Sequence, residues 1–444
     1  MEPRIIPRAE HPISRKDIDP DVLRVLYRLH HAGFQACLVG GAVRDLLRGA
    51  KPKDFDIATD ATPSQVRGQF RNSRTVGKRF RIVHVFYGDK NVEVSTFRTA
   101  VAADGDGGGD GDDLYVEDDN TWGDTESDAF RRDFTVNALF YRINDFAVID
   151  YVGGLEDLQA GVIRAIGEAS VRMQEDPVRI LRAIKFAARF GYRLDPATEA
   201  AMREHVGDLH KASRFRVTEE IFRILTQANR AQGLRMLESF GVLRTLYPHW
   251  VEAIGIDGFD QVVEFYDELE REAADGRHQP LEVVAAGLFL PFLDHVDPAA
   301  DDFTVRAAAL VGEIHGLGDA MELPRRLMTA VATLLRGQLH LLFFAHRPAN
   351  VQRFVRRPEF DWVWRLHELA FGHIRRLHGL QEVWLTAREA VGTPIVGFVD
   401  TPDRRDVFSF RGATGGGRRG EDDPASIVGD EPQHRGGRRR RRRR

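Results

Sequence analysis

Leu38-Val39-Gly40-Gly41-Ala42-Val43-Arg44-Asp45, followed by Asp54-Phe55-Asp56, is the stretch on which the reading of this chain turns. Ala36–Val39 is a short apolar run that reads as a strand, and Val43–Leu47 reads as a helix. Between them the two glycines allow a close backbone approach and can aim amide N–H groups at phosphate, helped by the helix N-terminus. Arg44 can add charge-assisted hydrogen bonds to a polyphosphate. A Gly-Gly turn alone is equally compatible with an ordinary tight connection. Phe55–Ala58 returns to a strand, and carboxylates two residues apart on a strand share a face, with Phe55 directed the other way. Two such carboxylates repel unless a cation lies between them. Asp-x-Asp is also frequent in surface turns, so both readings of Asp54 and Asp56 stand at this point.

Moving outward, Asp19-Pro20 suits an N-cap and first helical position for Val22–Ala32, which Gly33 ends. Pro63 opens a helix to about Phe70. Arg81–Tyr87 and Asn91–Phe97 read as strands joined by a turn at Gly88-Asp89. Glu93, between Val92 and Val94, faces away from both and supplies a third carboxylate near the Asp pair; it equally suits a solvent-facing position. His84 reads as a satisfied structural or surface imidazole. Cys37, the chain's one cysteine, sits in an apolar run and reads as a buried thiol. It excludes an intrachain disulfide framework and a thiolate zinc cluster. No His-Glu-x-x-His, Cys/His metal spacing or Gly-x-x-x-x-Gly-Lys-Ser/Thr loop occurs.

At 444 residues the chain is too long for one ordinary core. Its net charge of −4 says little, but the charge is segregated. Residues 104–128 hold eleven Asp or Glu and six Gly, which predicts a mobile acidic loop. Residues 411–444 hold eleven Arg against five Asp or Glu and end in Arg438–Arg444, predicting a disordered basic tail. The N-terminus lacks the apolar core of a signal peptide, and no later window is expected to span a membrane, so the expected location is cytoplasmic. The expected organisation is a flexible extension over 1–17, an α/β catalytic head over 18–150, a helical neck over 151–225, a helical body and tail over 226–410, and the basic segment 411–444.

Two basic motifs fit a nucleotide site. Arg131-Arg132-Asp133-Phe134-Thr135-Val136-Asn137 joins guanidiniums to a polar surface, though Asp133 can also simply cap a helix. In Glu175-Asp176-Pro177-Val178-Arg179-Ile180-Leu181-Arg182, Asp176 and Pro177 suit N-cap and first helical position, and Arg179 and Arg182 share a helix face. A carboxylate and a guanidinium presented together can read a purine edge; read locally, capping explains the same residues.

Together, residues 38–56, 76–98, 131–137 and 175–190 resemble the bacterial class II nucleotidyltransferases, a family of poly(A) polymerases and enzymes that build the CCA end of tRNA. The resemblance implies an α/β nucleotidyltransferase head followed by mostly α-helical neck, body and tail. It implies that Asp54, Asp56 and Glu93 are the catalytic, metal-binding carboxylates. Gly40, Gly41 and Arg44 match the phosphate region, and Arg131, Arg132, Asp133 and Asn137 the signature beside the nucleotide. Asp176 and Arg179 match the pair that recognises the incoming base, with Glu175 and Arg182 in support. The implied reaction is attack of an RNA 3′-hydroxyl on the α-phosphate of ATP, with Mg²⁺ as the metal, Mn²⁺ as its substitute, and pyrophosphate as product.

Val76-Gly77-Lys78-Arg79-Phe80-Arg81-Ile82-Val83-His84-Val85 and Glu175–Phe190 resemble the poly(A) polymerase forms of these segments. The basic end suits diverse RNA backbones. CCA addition from CTP and ATP is the alternative, and a catalytically silent RNA-binding scaffold is disfavoured by the intact carboxylates. Expected partners are RNA 3′ ends, contacted by the Arg-rich tail, and RNA-decay proteins, with the chain acting as a monomer.

Overall fold

The sheet of the head is laid down out of chain order. The structure, a computed structural model, describes residues 2–77, 81–99, 122–296 and 302–391. Its strands are β1 (Arg4–Ile6), β2 (Ala36–Val39), β3 (Asp56–Thr59), β4 (Ser73–Val76), β5 (Ile82–Tyr87), β6 (Lys90–Thr96), β7 (Leu139–Arg142) and β8 (Val148–Asp150). They form one sheet in the order β1-β8-β7-β2-β3-β6-β5-β4. Only β3 and β6 pair in parallel; the other neighbours are antiparallel. Helices α1 (Pro20–His31), α2 (Gly41–Leu47) and α3 (Pro63–Gln69) lie between the early strands. Asp19 caps α1 through the Asp21 amide with Pro20 at the first position, as its sequence predicts.

The core beneath this sheet includes Cys37, Val39, Ala58, Phe97, Phe140 and Ile149. Burial pushes the Cys37 thiol up to about 12, so it is an inert apolar filler rather than a nucleophile.

Two expectations fail here, and one helix tests a third. The first seventeen residues are not a loose extension: β1 pairs with β8, and Ile6, His11 and Ile13 are buried. Without β1, β8 would present an open edge, which the N-terminal strand covers. The acidic segment also ends earlier than its composition suggests. Residues 100–121 lie outside the described residues, but Asp124 caps α4 (Thr125–Phe130), and Asp128 is buried. Finally, the helix Arg325–Phe344 is long and apolar enough, by length and composition alone, to cross a membrane. Its Leu327, Met328, Val331, Leu335 and Leu341 are buried against Leu281–Gly287, Phe303–Ala320 and Phe360–Phe371, as in a core helix.

After β8 the chain is almost wholly helical. α5 (Gly154–Ala160), α6 (Ala169–Glu175), α7 (Val178–Phe190), α8 (Pro196–His205) and α9 (Arg214–Thr226) lead into further helices as far as His378–Ala390. α7 packs on α9, and Phe186 meets Phe134 of the head edge to face.

Candidate nucleotidyl-transfer site

The parallel pairing of β3 and β6 sets the carboxylates. Asp56 and Glu93 are direct register partners, so their side chains leave adjacent strands on one face. Val92 and Val94 are buried on the other face, as the alternation predicts. Asp54 lies just ahead of β3 rather than within it, because the strand begins at Asp56. Its charge nevertheless reaches both partners. Asp56 is pushed up to about 6, first by the protein displacing water around it, then by the Glu93 charge, with Asp54 adding and Arg132 opposing. Desolvation and then Asp54 raise Glu93 as well. The rim of this cluster is finished by His84, whose Nε2 lies 3.5 Å from Glu93 and whose Nδ1 lies 3.2 Å from the Asn91 amide. Burial lowers the His84 pKa, so the imidazole is neutral at neutral pH.

Among the described residues no three His, Cys, Asp or Glu side chains form a preformed metal cage. Asp56 and Glu93 still offer paired oxygen donors, and Mg²⁺ binds carboxylates together with substrate phosphates. Desolvation first, and then the Glu93 and Asp54 charges, lift Asp56; a cation would offset both, so these oxygen donors fit a hard divalent ion.

Gly40 opens the other side of the site. Its φ of 67° and ψ of −130° belong to a conformation open to glycine and strained for other residues. A Cβ there would also stand 3.1 Å from Arg132 Nη1. The Gly40 amide donates to the Leu139 carbonyl at 3.2 Å, which fixes the turn against β7.

Arg44 departs from its expected role. It is 3% exposed, donates to Asp45 and, at 2.5 Å, to Asn137 Oδ1, and lies 4.4 Å over the Phe190 ring. In this arrangement it positions Asn137 instead of presenting its charge to phosphate. Asn137 Nδ2 donates in turn to Asp133 Oδ1 at 3.1 Å, and Asp133 Oδ2 accepts from Arg182 Nε at 2.7 Å. Glu220 of α9 lies 3.9 Å from Arg182 and accepts from Lys185 at 2.5 Å and Arg223 at 2.7 Å. One polar chain therefore runs from α2 through the 133–137 segment into α7 and α9. Asp133 and Arg182 are a head-to-helix tie.

Arg131 and Arg132 are both held by Asp128, at 2.8 and 2.9 Å, and Arg132 also lies 5.2 Å from the Phe140 ring centroid. Arg172 donates to the Arg131 and Arg132 carbonyls at 2.7 and 2.9 Å, stitching α6 to the same loop. Asp176 accepts from the Val178 amide and from Arg216 at 2.7 Å, while Arg179 pairs with Glu175 at 3.0 Å. Asp176 ends α6 instead of capping α7, whose N-cap is Pro177, and its two carboxylate oxygens are taken by the Val178 amide and Arg216.

Sequence reasoning missed Asp128, Arg172, Arg216 and Glu220. Asp128 stood inside a run of acids that reads as solvated. The (i, i+3) and (i, i+4) spacing of Asp128 to Arg131 and Arg132 was the available signal. Arg216 and Glu220 had none, since their partners are remote in sequence. Lys78, Arg79 and Phe80 of the basic run lie outside the described residues, as does the segment 411–444.

Comparison with known proteins agrees with this geometry. Residues 36–164 match the family model described as the poly A polymerase head domain, and residues 191–254 match one described as the probable RNA and SrmB-binding site of polymerase A. Poly(A) polymerase I of Salmonella typhi is 38% identical over 380 residues, covering 82% of this chain and 81% of that protein. The chain belongs to the poly(A) polymerase I family. A CCA-adding enzyme of Latilactobacillus sakei is 35% identical over 50% of this chain and 54% of its own length. The fold of the Thermotoga maritima CCA-adding enzyme complexed with tRNA superimposes with a TM-score of 0.55 at 22% identity, covering 87% of this chain and 86% of that one. The head-plus-helices fold therefore extends across both enzyme branches, while the match to poly(A) polymerase I covers more of this chain than the match to the Latilactobacillus sakei enzyme.

Proposed function

We infer that this protein transfers AMP from ATP to RNA 3′-hydroxyl ends, releasing pyrophosphate without a template. The observation that carries the chemistry is the register pairing of Asp56 with Glu93 beside the Gly40-Gly41 turn. The branch follows from the match to poly(A) polymerase I over four-fifths of both chains.

Asp54, Asp56 and Glu93 are the residues that would hold Mg²⁺, or Mn²⁺ in its place. The metal, when bound, supplies the positive charge that eases hydroxyl deprotonation and offsets charge on the leaving pyrophosphate. The chain does the rest. The glycine turn admits the triphosphate close to the backbone, and Arg132, anchored on Asp128, holds positive charge beside Asp56. Asp176 and Arg179 present an acceptor and a donor to the base edge. Arg44, Asn137, Asp133 and Arg182 keep these two halves in register. No covalent protein nucleophile is needed. The Arg-rich segment 411–444 is assigned to RNA backbone contact. Cytoplasmic location, monomeric action and service in RNA decay complete the reading.

CCA addition is the second reading, favoured by the half-length match to the Latilactobacillus sakei enzyme. The purified protein is given Mg²⁺ with an unstructured oligoadenylate or a tRNA lacking CCA, and ATP and CTP separately and together. ATP-only ladders on the oligoadenylate are expected. Three additions to tRNA that need both nucleotides, with no ladder on the oligoadenylate, would overturn the assignment.

A further inference from the structure

A cavity lies far along the chain from the head, in the helical half. It measures about 290 Å³ and is lined by residues of Arg325–Phe344, of Pro348–Phe354 and the turn after it, and by Phe303. Its wall is aromatic: the His340 ring lies 4.1 Å from Phe354, 4.5 Å from Phe344 and 5.4 Å from Phe303, centroid to centroid. Its rim is cationic. Arg336 and Arg353 are exposed, and neither forms an ion pair among the described residues. Arg357 is shared with Glu359 at 3.5 Å.

His340 lies between the two. Its Nε2 is buried and has no hydrogen-bond partner among the described residues. Burial, then the charges of Arg357 and Arg336, push its pKa down to about 4. It is therefore a neutral imidazole whose ring packs as part of the aromatic lining.

An aromatic lining beside two guanidiniums that form no ion pair among the described residues matches one class of ligand. We propose that this cavity binds one nucleoside monophosphate unit, its base against the aromatic wall and its phosphate on Arg336 and Arg353. Aromatic stacking with arginine contact is how single-stranded nucleic acids are commonly held. The volume suits one nucleotide rather than a run of them, lying near the lower bound of ligand cavities at about 300 Å³. Glu359 offers an acceptor to an exocyclic amine and disfavours a polyphosphate. The unit can come from the RNA strand or from a free mononucleotide. The first source rests on the RNA-extending reading above; the second does not.

The full-length protein is irradiated with either of two probes, a labelled oligoadenylate carrying an internal 8-azidoadenosine or free 8-azido-AMP, and adducts are mapped by mass spectrometry. Adducts are expected on peptides spanning residues 333–359, from the oligoadenylate if the strand is the source and from 8-azido-AMP if the free nucleotide is. The doubly substituted Arg336→Ala/Arg353→Ala protein should lose this adduct at least about tenfold, with head adducts unchanged. Both side chains are exposed, so folding should survive, and thermal melting checks it. If the double variant does not fold, the wild-type map still decides. Adducts confined to the head with both probes, or an undiminished adduct in the folded double variant, would overturn the proposal. Failure of ATP-dependent extension with the 333–359 adduct intact would strike the adenylyl-transfer reading alone.

Discussion

Breaking the tie between Asp133 and Arg182 tests how much this ion pair contributes to holding the head against the helical half. Asp133 is 10% exposed in its side chain. Burial works against its ionisation, yet the Arg182 charge and the bonds from Arg182, Asn137 and the Phe134 amide outweigh it and bring the carboxyl from 3.8 down to about 2. At about 1.4 kcal/mol per unit, that difference is about 2.5 kcal/mol of stability. A lowered carboxyl pKa means this contribution is complete above the unfolded value of 3.8 and disappears as pH falls toward about 2. Arg182→Ala removes the main partner and strands a buried charge, which costs about 3–5 kcal/mol. Asp133→Asn keeps the side-chain shape and loses the charge. In a double-mutant cycle, followed through the first cooperative urea transition at pH 7, the two changes should couple by about 2 kcal/mol. Coupling should shrink at pH 3. Additivity within about 0.5 kcal/mol at pH 7 would refute the tie.

Replacing Asp56 with Asn should abolish transfer and raise the melting temperature of the metal-free protein. A raised carboxyl pKa makes the ionised group a liability that begins above 3.8 and is complete above about 6, and the substitution removes it. An unchanged extension rate would reject the site. Adding Mg²⁺ should stabilise the wild type and not the variant, read by differential scanning calorimetry. Gly40→Ala forces a side chain into a positive-φ conformation and toward Arg132, costing about 1–3 kcal/mol; undiminished activity and melting temperature would remove the turn from the site. Deleting 411–444 should weaken RNA binding chiefly at low salt, and an unchanged salt slope in fluorescence anisotropy would leave that segment without its assigned role.

The elements of the head were legible because they carry strong local signals. Asp19-Pro20 starts a helix, Gly40-Gly41 ends a strand, and the alternation Val92-Glu93-Val94 assigns each side chain a face. Composition misled where it averaged over neighbours. Asp128 looked like one acid among eleven, and only burial between Arg131 and Arg132 separates it from the rest. The apolar helix Arg325–Phe344 is long enough to cross a membrane, and only its packing against other helices shows that its apolar face belongs to a core.

The sequence by itself determined that carboxylates, a glycine turn and two arginine motifs occur in an order shared with one enzyme family. It could do so because each motif is short and its side-chain chemistry is fixed by residue type. Tertiary structure alone decided who partners whom. The parallel β3–β6 register put Glu93 beside Asp56, the packing of α7 on the head joined Arg182 to Asp133, and the close approach of α2 to the 135–137 turn turned Arg44 inward to Asn137. Those pairings span 37 to 93 positions of chain. Charge and hydrogen bonding act over a few ångströms of space, and distance along a folded chain carries no record of that proximity.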